Sequence, residues 1–245
     1  MARHLLMRLR APLIAFGGET IDNYGIIRDF PALSMVTGLL ANAQGWDRGD
    51  DVKHNRLQER LVMGARLDAS GLRVEDYQTA LLFQDDAGWT TLGKMEGRKP
   101  SPSYAPMPDG QKGLTLQRYR HYHADMDVLV ALRVQPADES PTLDELAFAL
   151  DKPARPLFVG RKNCLPTARL MAGWIEADDI LGALQLAEPT LQNPVRVQWP
   201  DGEGRLPGEQ DRCLDVCDER NWTSGVHGGW RPVREGLIQT AGNMS

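Results

Sequence analysis

The chain has 245 residues, a net charge of −5, 42% hydrophobic and 25% charged residues, an ordinary globular balance with enough length to bury one large core or two small ones. No apolar run reaches the roughly 18 residues a membrane-spanning helix needs, so no membrane role is expected. Arg8 and Arg10 break the apolar core a signal peptide requires, and three cysteines do not make a disulfide framework, so a cytoplasmic protein is expected.

Charge is unevenly spread. Residues 1–164 hold 21 Lys+Arg and 21 Asp+Glu, whereas residues 165–245 hold 7 and 12. The whole acidic excess therefore lies in the C-terminal third. Basic windows without acids remain at Arg3, Arg8 and Arg10, and at Arg155, Arg161 and Lys162. An anion should be held by local patches, away from the acidic third.

The segment "RHLLMRLRAP" alternates, with Leu5, Met7 and Leu9 on one face and Leu6, Arg8 and Arg10 on the other. It reads as a half-buried strand ended by Pro12. A glycine loop, "AFGGET", follows. In "DFPALSMVTGLLANAQGW", Pro31 precedes a helix with Ser34 as its N-cap, Met35, Leu39 and Leu40 as its apolar face and Gly45 as its stop. A second helix is expected over about Val52 to Met63, then strands near Ala65–Asp68 and Leu72–Phe83. Residues 84–117 are rich in glycine and proline and lack apolar periodicity. Such a length reads as a functional excursion or a solvated loop.

Regular structure resumes with "RYRHYHADMDVLVALRV", where Val128, Val130, Leu132 and Val134 alternate as a strand. "SPTLDELAFALDKP" is a marked helix, with Leu143, Leu146, Ala147 and Leu150 on one face and Pro153 after it. "LFVG" reads as the next strand, "EADDILGALQLA" as a short helix, "VRVQW" as a strand, and "GWRPVREGL" as a last one, after a polar stretch from Pro200 to Asn221. The order β, α, β-β with an insertion, β, α, β resembles a ferredoxin-like domain with an elaborated central hairpin.

Several stretches fit an anionic, base-bearing ligand. Gly160 lets a backbone approach a phosphate, and Arg161 and Lys162 supply charge; an ordinary surface turn is the plainer reading. Phe16, Gly17 and Gly18 place an aromatic ring beside open backbone, or a core Phe before a turn. Ser34 at a helix start offers backbone N–H groups to an anion, or simply caps the helix. "RYRHYH" interleaves cations and aromatics at strand spacing, as single-stranded RNA contacts do. Its His121 also has the chemistry of a general base. Cys213 and Cys217 have three residues between them, with His227 nearby; zinc sites use tighter pairs and four ligands, so reduced thiols and no metal are expected. No phosphate-binding loop of the GxxxxGK[ST] type and no common hydrolase motif is present, and no cofactor is expected.

Four stretches together, "LLMRLRAPLIAFG", "FPALSMVTGLLANAQGW", "RYRHYHAD" and "VGRKNCLP", resemble the CasD family of the RAMP superfamily, a subunit of type I-E CRISPR Cascade, over residues 4 to about 190. Arg120, Tyr122 and Asp125 match its Arg-x-Tyr-x-x-Asp, Gly160, Arg161, Lys162 and Cys164 its Gly-Arg-basic-x-Cys, and Phe16 and Gly17 its aromatic-Gly. Leu33 stands where many members carry a basic residue, and Arg28 is the nearby cation able to replace it. The resemblance implies an α+β fold: a ferredoxin-like (RRM/RAMP) domain over residues 1–164, a β-hairpin thumb inserted at about 84–117, and a small β-rich extension over 165–245. It implies a non-catalytic subunit that caps the 5′ handle of CRISPR RNA and touches the backbone subunit and the large PAM-recognising subunit, without forming a homo-oligomer. Arg8 and the thumb cations Lys94, Arg98 and Lys99 join the expected RNA contacts. Two alternatives stay open. One is a repeat-RNA endoribonuclease, as in type I-C relatives, using His121, Tyr119 and Lys162. The other is a protein-only scaffold.

Overall fold

The alternating N-terminal segment forms strand β1 (Ala2–Arg10) in the computed structural model, which describes residues 1–18, 23–83, 88–89, 95–96, 105–106, 112–188 and 194–240. In chain order there follow β2 (Leu13–Ile14), β3 (Tyr24–Gly25), α1 (Leu33–Ala43), α2 (Asp51–Arg60), β4 (Leu61–Ala69) and β5 (Leu72–Phe83). Short pieces β6 (Gly88–Trp89), β7 (Met95–Glu96) and β8 (Ala105–Pro106) precede β9 (Lys112–Ala124) and β10 (Asp127–Val134). Then come α3 (Leu143–Asp151), β11 (Met171–Ala177), α4 (Ile180–Leu186), β12 (Val195–Pro200), β13 (Asp211–Val216) and β14 (Arg231–Ile238). Contacts divide the chain into two units, one of Met1–Gly18, Ile27–Val74 and Tyr122–Ser245, the other of Glu19–Ile26 and Glu75–His121.

The first unit is built on a seven-stranded sheet in the order β11-β1-β10-β4-β12-β14-β13, with antiparallel pairing throughout. β1, β4, β10 and β11 are interleaved with α1, α2 and α3 in chain order β-α-α-β-β-α-β. Leu5, Met7 and Leu9 of β1 pack with Val36 and Leu40 of α1, Leu57 of α2 and Leu146 and Leu150 of α3 in one core. On the other face Leu6, Leu129 and Ala131 pack with Ile180 and Leu184 of α4 and with Trp199. β1 is thus covered on both faces rather than half-buried, because α4 closes the side that carries Leu6. The division at residue 164 expected from sequence does not coincide with the compact units: β11 to β14 join the same sheet as β1, β4 and β10.

Arg66, fully buried in β4, shows how charge is carried inside this sheet. Its guanidinium donates to Asp68 Oδ1 at 2.6 Å and to the carbonyls of Leu184 and Glu188, both at 2.7 Å. The Leu184 carbonyl in the last turn of α4 and the Glu188 carbonyl just beyond the helix therefore find a donor. α3 starts on a capping box, Thr142 accepting from the Glu145 N–H at 3.3 Å and Glu145 accepting from the Thr142 N–H at 2.6 Å.

Three sequence expectations are corrected. The second helix stops at Arg60, and Leu61, Val62 and Met63 run on as β4. Ser34 lies inside α1, whose N-cap is Ala32. "LFVG" is not a strand: Val159 N–H donates to the Cys164 carbonyl at 2.8 Å and Cys164 N–H to the Arg161 carbonyl at 2.9 Å, so the segment closes into a loop. The strand beside β1 is β11 instead.

His4 and His123 are buried, and burial pushes both rings below their ordinary pKa of 6.5. The Arg133 guanidinium lowers His4 further, against the Ala2 backbone and the opposing Glu203 and Asp179. His123 Nε2 lies 3.0 Å from the Arg28 carbonyl, with Arg73 and Asp29 as the nearby charges. As pH falls the unfolded chain takes up protons before the folded one, so the stability these neutral rings contribute is complete above about pH 6.5 and is lost below it. The expected slope is at most about 1.4 kcal/mol per pH unit for each histidine. Melting temperature should drop between about pH 7 and pH 5, and His4→Leu should reduce that drop; a flat profile in the wild type would contradict it.

Candidate nucleic-acid interface

The loop 159–164 meets the segment after β2. Gly160 has φ +92°, and a Cβ placed there would lie 1.8 Å from the Ala15 carbonyl oxygen. The glycine is thus required by contact between two stretches of main chain of this protein. Ala15 N–H donates to the Val159 carbonyl at 3.4 Å, which holds Phe16 and Gly17 beside the loop. β9 supplies the third side: Leu13 and Ile14 pair with Ala124 and His123.

On this frame Tyr122 is 2% exposed, with the Arg161 guanidinium 4.8 Å above its ring and Asn163 Nδ2 donating to its hydroxyl at 3.2 Å. Lys162 and Asn163 are exposed. Cys164 is buried, which pushes its thiol pKa up, so it serves packing. Phe16 is fully buried, 6.4 Å from the His123 ring; it is a core side chain and not a free stacking face, while Gly17 beside it is exposed and Gly18 half-buried. Asp125, the last residue of the Arg-x-Tyr-x-x-Asp match, turns the chain from β9 to β10 at φ 54°.

Other expected contacts are engaged internally. Arg8 donates to Asp68 Oδ2 at 2.7 Å and to Asp127 Oδ1 at 3.1 Å, so its charge is spent within the sheet. Arg28 donates to the Cys217 carbonyl at 2.7 Å. The start of α1 already holds an anion: Asp218 Oδ2 accepts from the Leu33 N–H and the Asp218 carbonyl from the Ser34 N–H, both at 3.0 Å. Ser34 is buried and its N–H is not available to a phosphate. Lys94, Arg98 and Lys99 lie outside the described residues.

The second unit holds the rest of "RYRHYH". Arg120 Nε donates to Gln78 Oε1 at 3.2 Å, and His121 Nε2 lies 2.9 Å from Glu75 Oε2. Tyr119 stacks between Tyr24, at a centroid distance of 4.9 Å, and Tyr77, at 5.0 Å. Tyr24 and Tyr77 were missed from the sequence. The parallel pairing of β3 with β9 and the pairing of β5 with β9 bring them beside Tyr119, and neither pairing has a local signal. Among the described residues no group of three metal-ligating side chains occurs, and Cys213 and Cys217 are free thiols.

The fold is that of solved CRISPR-associated proteins. A "CRISPR RNA-guided surveillance complex" chain matches with a TM-score of 0.67 and 21% identity, over 97% of this chain and 90% of the other. A second structure, "Crystal structure of Cas protein", matches with a TM-score of 0.61 and 24% identity, over 97% and 95%. The family model for the CRISPR-associated protein Cas5 matches residues 4–234, and the chain belongs to that family. It is 29% identical over 189 residues to the "CRISPR system Cascade subunit CasD" of Escherichia coli (strain K12), covering 77% of this chain and 79% of that protein. The resemblance stated from the four motifs agrees with these matches.

Proposed function

We propose that the protein is a non-catalytic subunit of a type I-E CRISPR surveillance complex, binding and capping the 5′ handle of CRISPR RNA. In this reading it bridges the backbone subunit and the large subunit in the cytoplasm, and the segment at about 84–117 is its thumb. The strand order β11-β1-β10-β4, read as strands four, one, three and two of a β-α-β-β-α-β unit, supports a ferredoxin-like core. The likeness to the E. coli Cascade subunit supports the assembly.

The observation that carries the RNA contact is the loop 160–163. It presents exposed Lys162, with no ion pair among the described residues, next to Arg161 over the Tyr122 ring. The loop is anchored by backbone contact at Gly160, so its cations are held on a rigid base rather than on a mobile tip. Co-purification of the assembled complex with repeat-derived RNA tests it. The Arg161→Ala/Lys162→Ala variant should fold and assemble but carry less RNA, and the wild type should leave the repeat uncut. Metal-independent cleavage abolished by His121→Ala would replace the capping function with an endoribonuclease.

A further inference from the structure

Within the unit of Glu19–Ile26 and Glu75–His121, three tyrosines form one column. Tyr119 is the middle ring, with Tyr24 nearly parallel at 13° and Tyr77 tilted at 39°. The outer rings are 48% and 51% exposed, so each spends one side on Tyr119 and keeps surface for a further planar group. Strand alternation puts Arg118 and Arg120 on the opposite face of β9. Their partners are neutral: Arg118 donates to Asn23 Oδ1 at 2.6 Å and the Gln117 carbonyl at 2.8 Å, and Arg120 to Gln78 Oε1. Neither has a carboxylate partner among the described residues. By contrast Arg8, Arg66, Arg169, Arg231 and Arg234 all meet carboxylates. Two arginines without a direct carboxylate partner among the described residues thus share a strand with the aromatic column, Asp76 meeting Arg120 only through Gln78, whose amide donates to Asp76 at 2.6 Å.

We propose that the Tyr24–Tyr119–Tyr77 column is a base-stacking site for single-stranded RNA, with bases on the outer rings and Arg118 and Arg120 adding only longer-range attraction from the other face of the strand. The inference rests on the RNA-binding reading above and adds a contact that uses none of residues 160–163. Every base has a π-face, so the site holds RNA with little regard to sequence. Stacking is apolar in origin and phosphate pairing ionic, so the two contributions separate by salt dependence.

The probe is a single-stranded RNA dodecamer carrying 2-aminopurine, titrated into the full chain. Its fluorescence should be quenched on binding. Tyr24→Leu/Tyr77→Leu should abolish the quenching and weaken binding about 5- to 150-fold per base unstacked, with the salt slope unchanged. Tyr24→Phe/Tyr77→Phe keeps the rings and should bind as wild type. If the leucine variant binds and quenches normally while Arg161→Ala/Lys162→Ala binds weakly, the column is not a base site and the RNA-binding reading stands. If the leucine variant loses RNA and the Arg161→Ala/Lys162→Ala variant does not, the column stands and the loop assignment falls. Normal RNA affinity with loss of a protein subunit in the leucine variant would make the column a protein-docking surface and overturn the inference. A wild type without RNA affinity overturns both.

Discussion

Gly160→Ala should destabilise the protein by about 3–5 kcal/mol. Two costs add at this position. The left-handed φ of +92° is strained for any residue with a Cβ, at about 1–3 kcal/mol. The new methyl would also sit 1.8 Å from the Ala15 carbonyl oxygen and 2.8 Å from its carbon, which are main-chain atoms and cannot rotate away. Relief requires pulling the loop off the segment that carries Phe16, and Phe16 is fully buried in the main core. Denaturant unfolding measures the loss. A variant within about 1 kcal/mol of wild type would mean that the two backbones do not meet as described.

Asp218→Ala should cost about 3–5 kcal/mol, the cost of leaving a buried charge without its partner. Asp218 is 4% exposed and accepts two hydrogen bonds at 2.7 Å from Arg231, whose side chain is 15% exposed. The same carboxylate satisfies the Leu33 N–H at the start of α1. Its removal strands the guanidinium and uncaps the helix, which has no side-chain cap of its own. An Arg231→Ala/Asp218→Ala double variant should recover part of the loss, since the unpaired charge is then gone. Equal stability of wild type and Asp218→Ala would rule out the pairing. The acidic C-terminal third is therefore partly internal: Asp218 fills the anion site at α1 that the sequence assigns to a phosphate.

Legibility from sequence follows how local the determining physics is. Val128, Val130, Leu132 and Val134 announce β10 by alternation, and Leu143, Leu146, Ala147 and Leu150 announce α3 by a helical face ended before Pro153; both signals lie within a few residues. The run Leu61–Met63 carries no period that separates a helix end from a strand, and pairing with β10 decides it. The "LFVG" run has strand composition, but hydrogen bonds within 159–164 and the approach of Ala15 close it into a loop. β13 lies in a polar stretch and exists because β14 pairs with it. At the site, Gly160, Arg161, Lys162 and Tyr122 are legible as separate short motifs, and the structure brings them together. Arg8, Arg28 and Ser34 are basic or cap-like in sequence, yet their partners Asp68, Asp127, Cys217 and Asp218 are distant in the chain and visible only in the fold.

The salt dependence of RNA binding by the assembled complex tests the central claim most directly. Each phosphate contact to a single strand contributes about 0.7 to the slope of log K against log[salt]. Arg161→Ala/Lys162→Ala should lower that slope by about 1.4 and weaken RNA binding, while leaving the unfolding transition in place. An unchanged slope and affinity in a folded, assembled double variant would contradict the assignment of this loop to the RNA backbone.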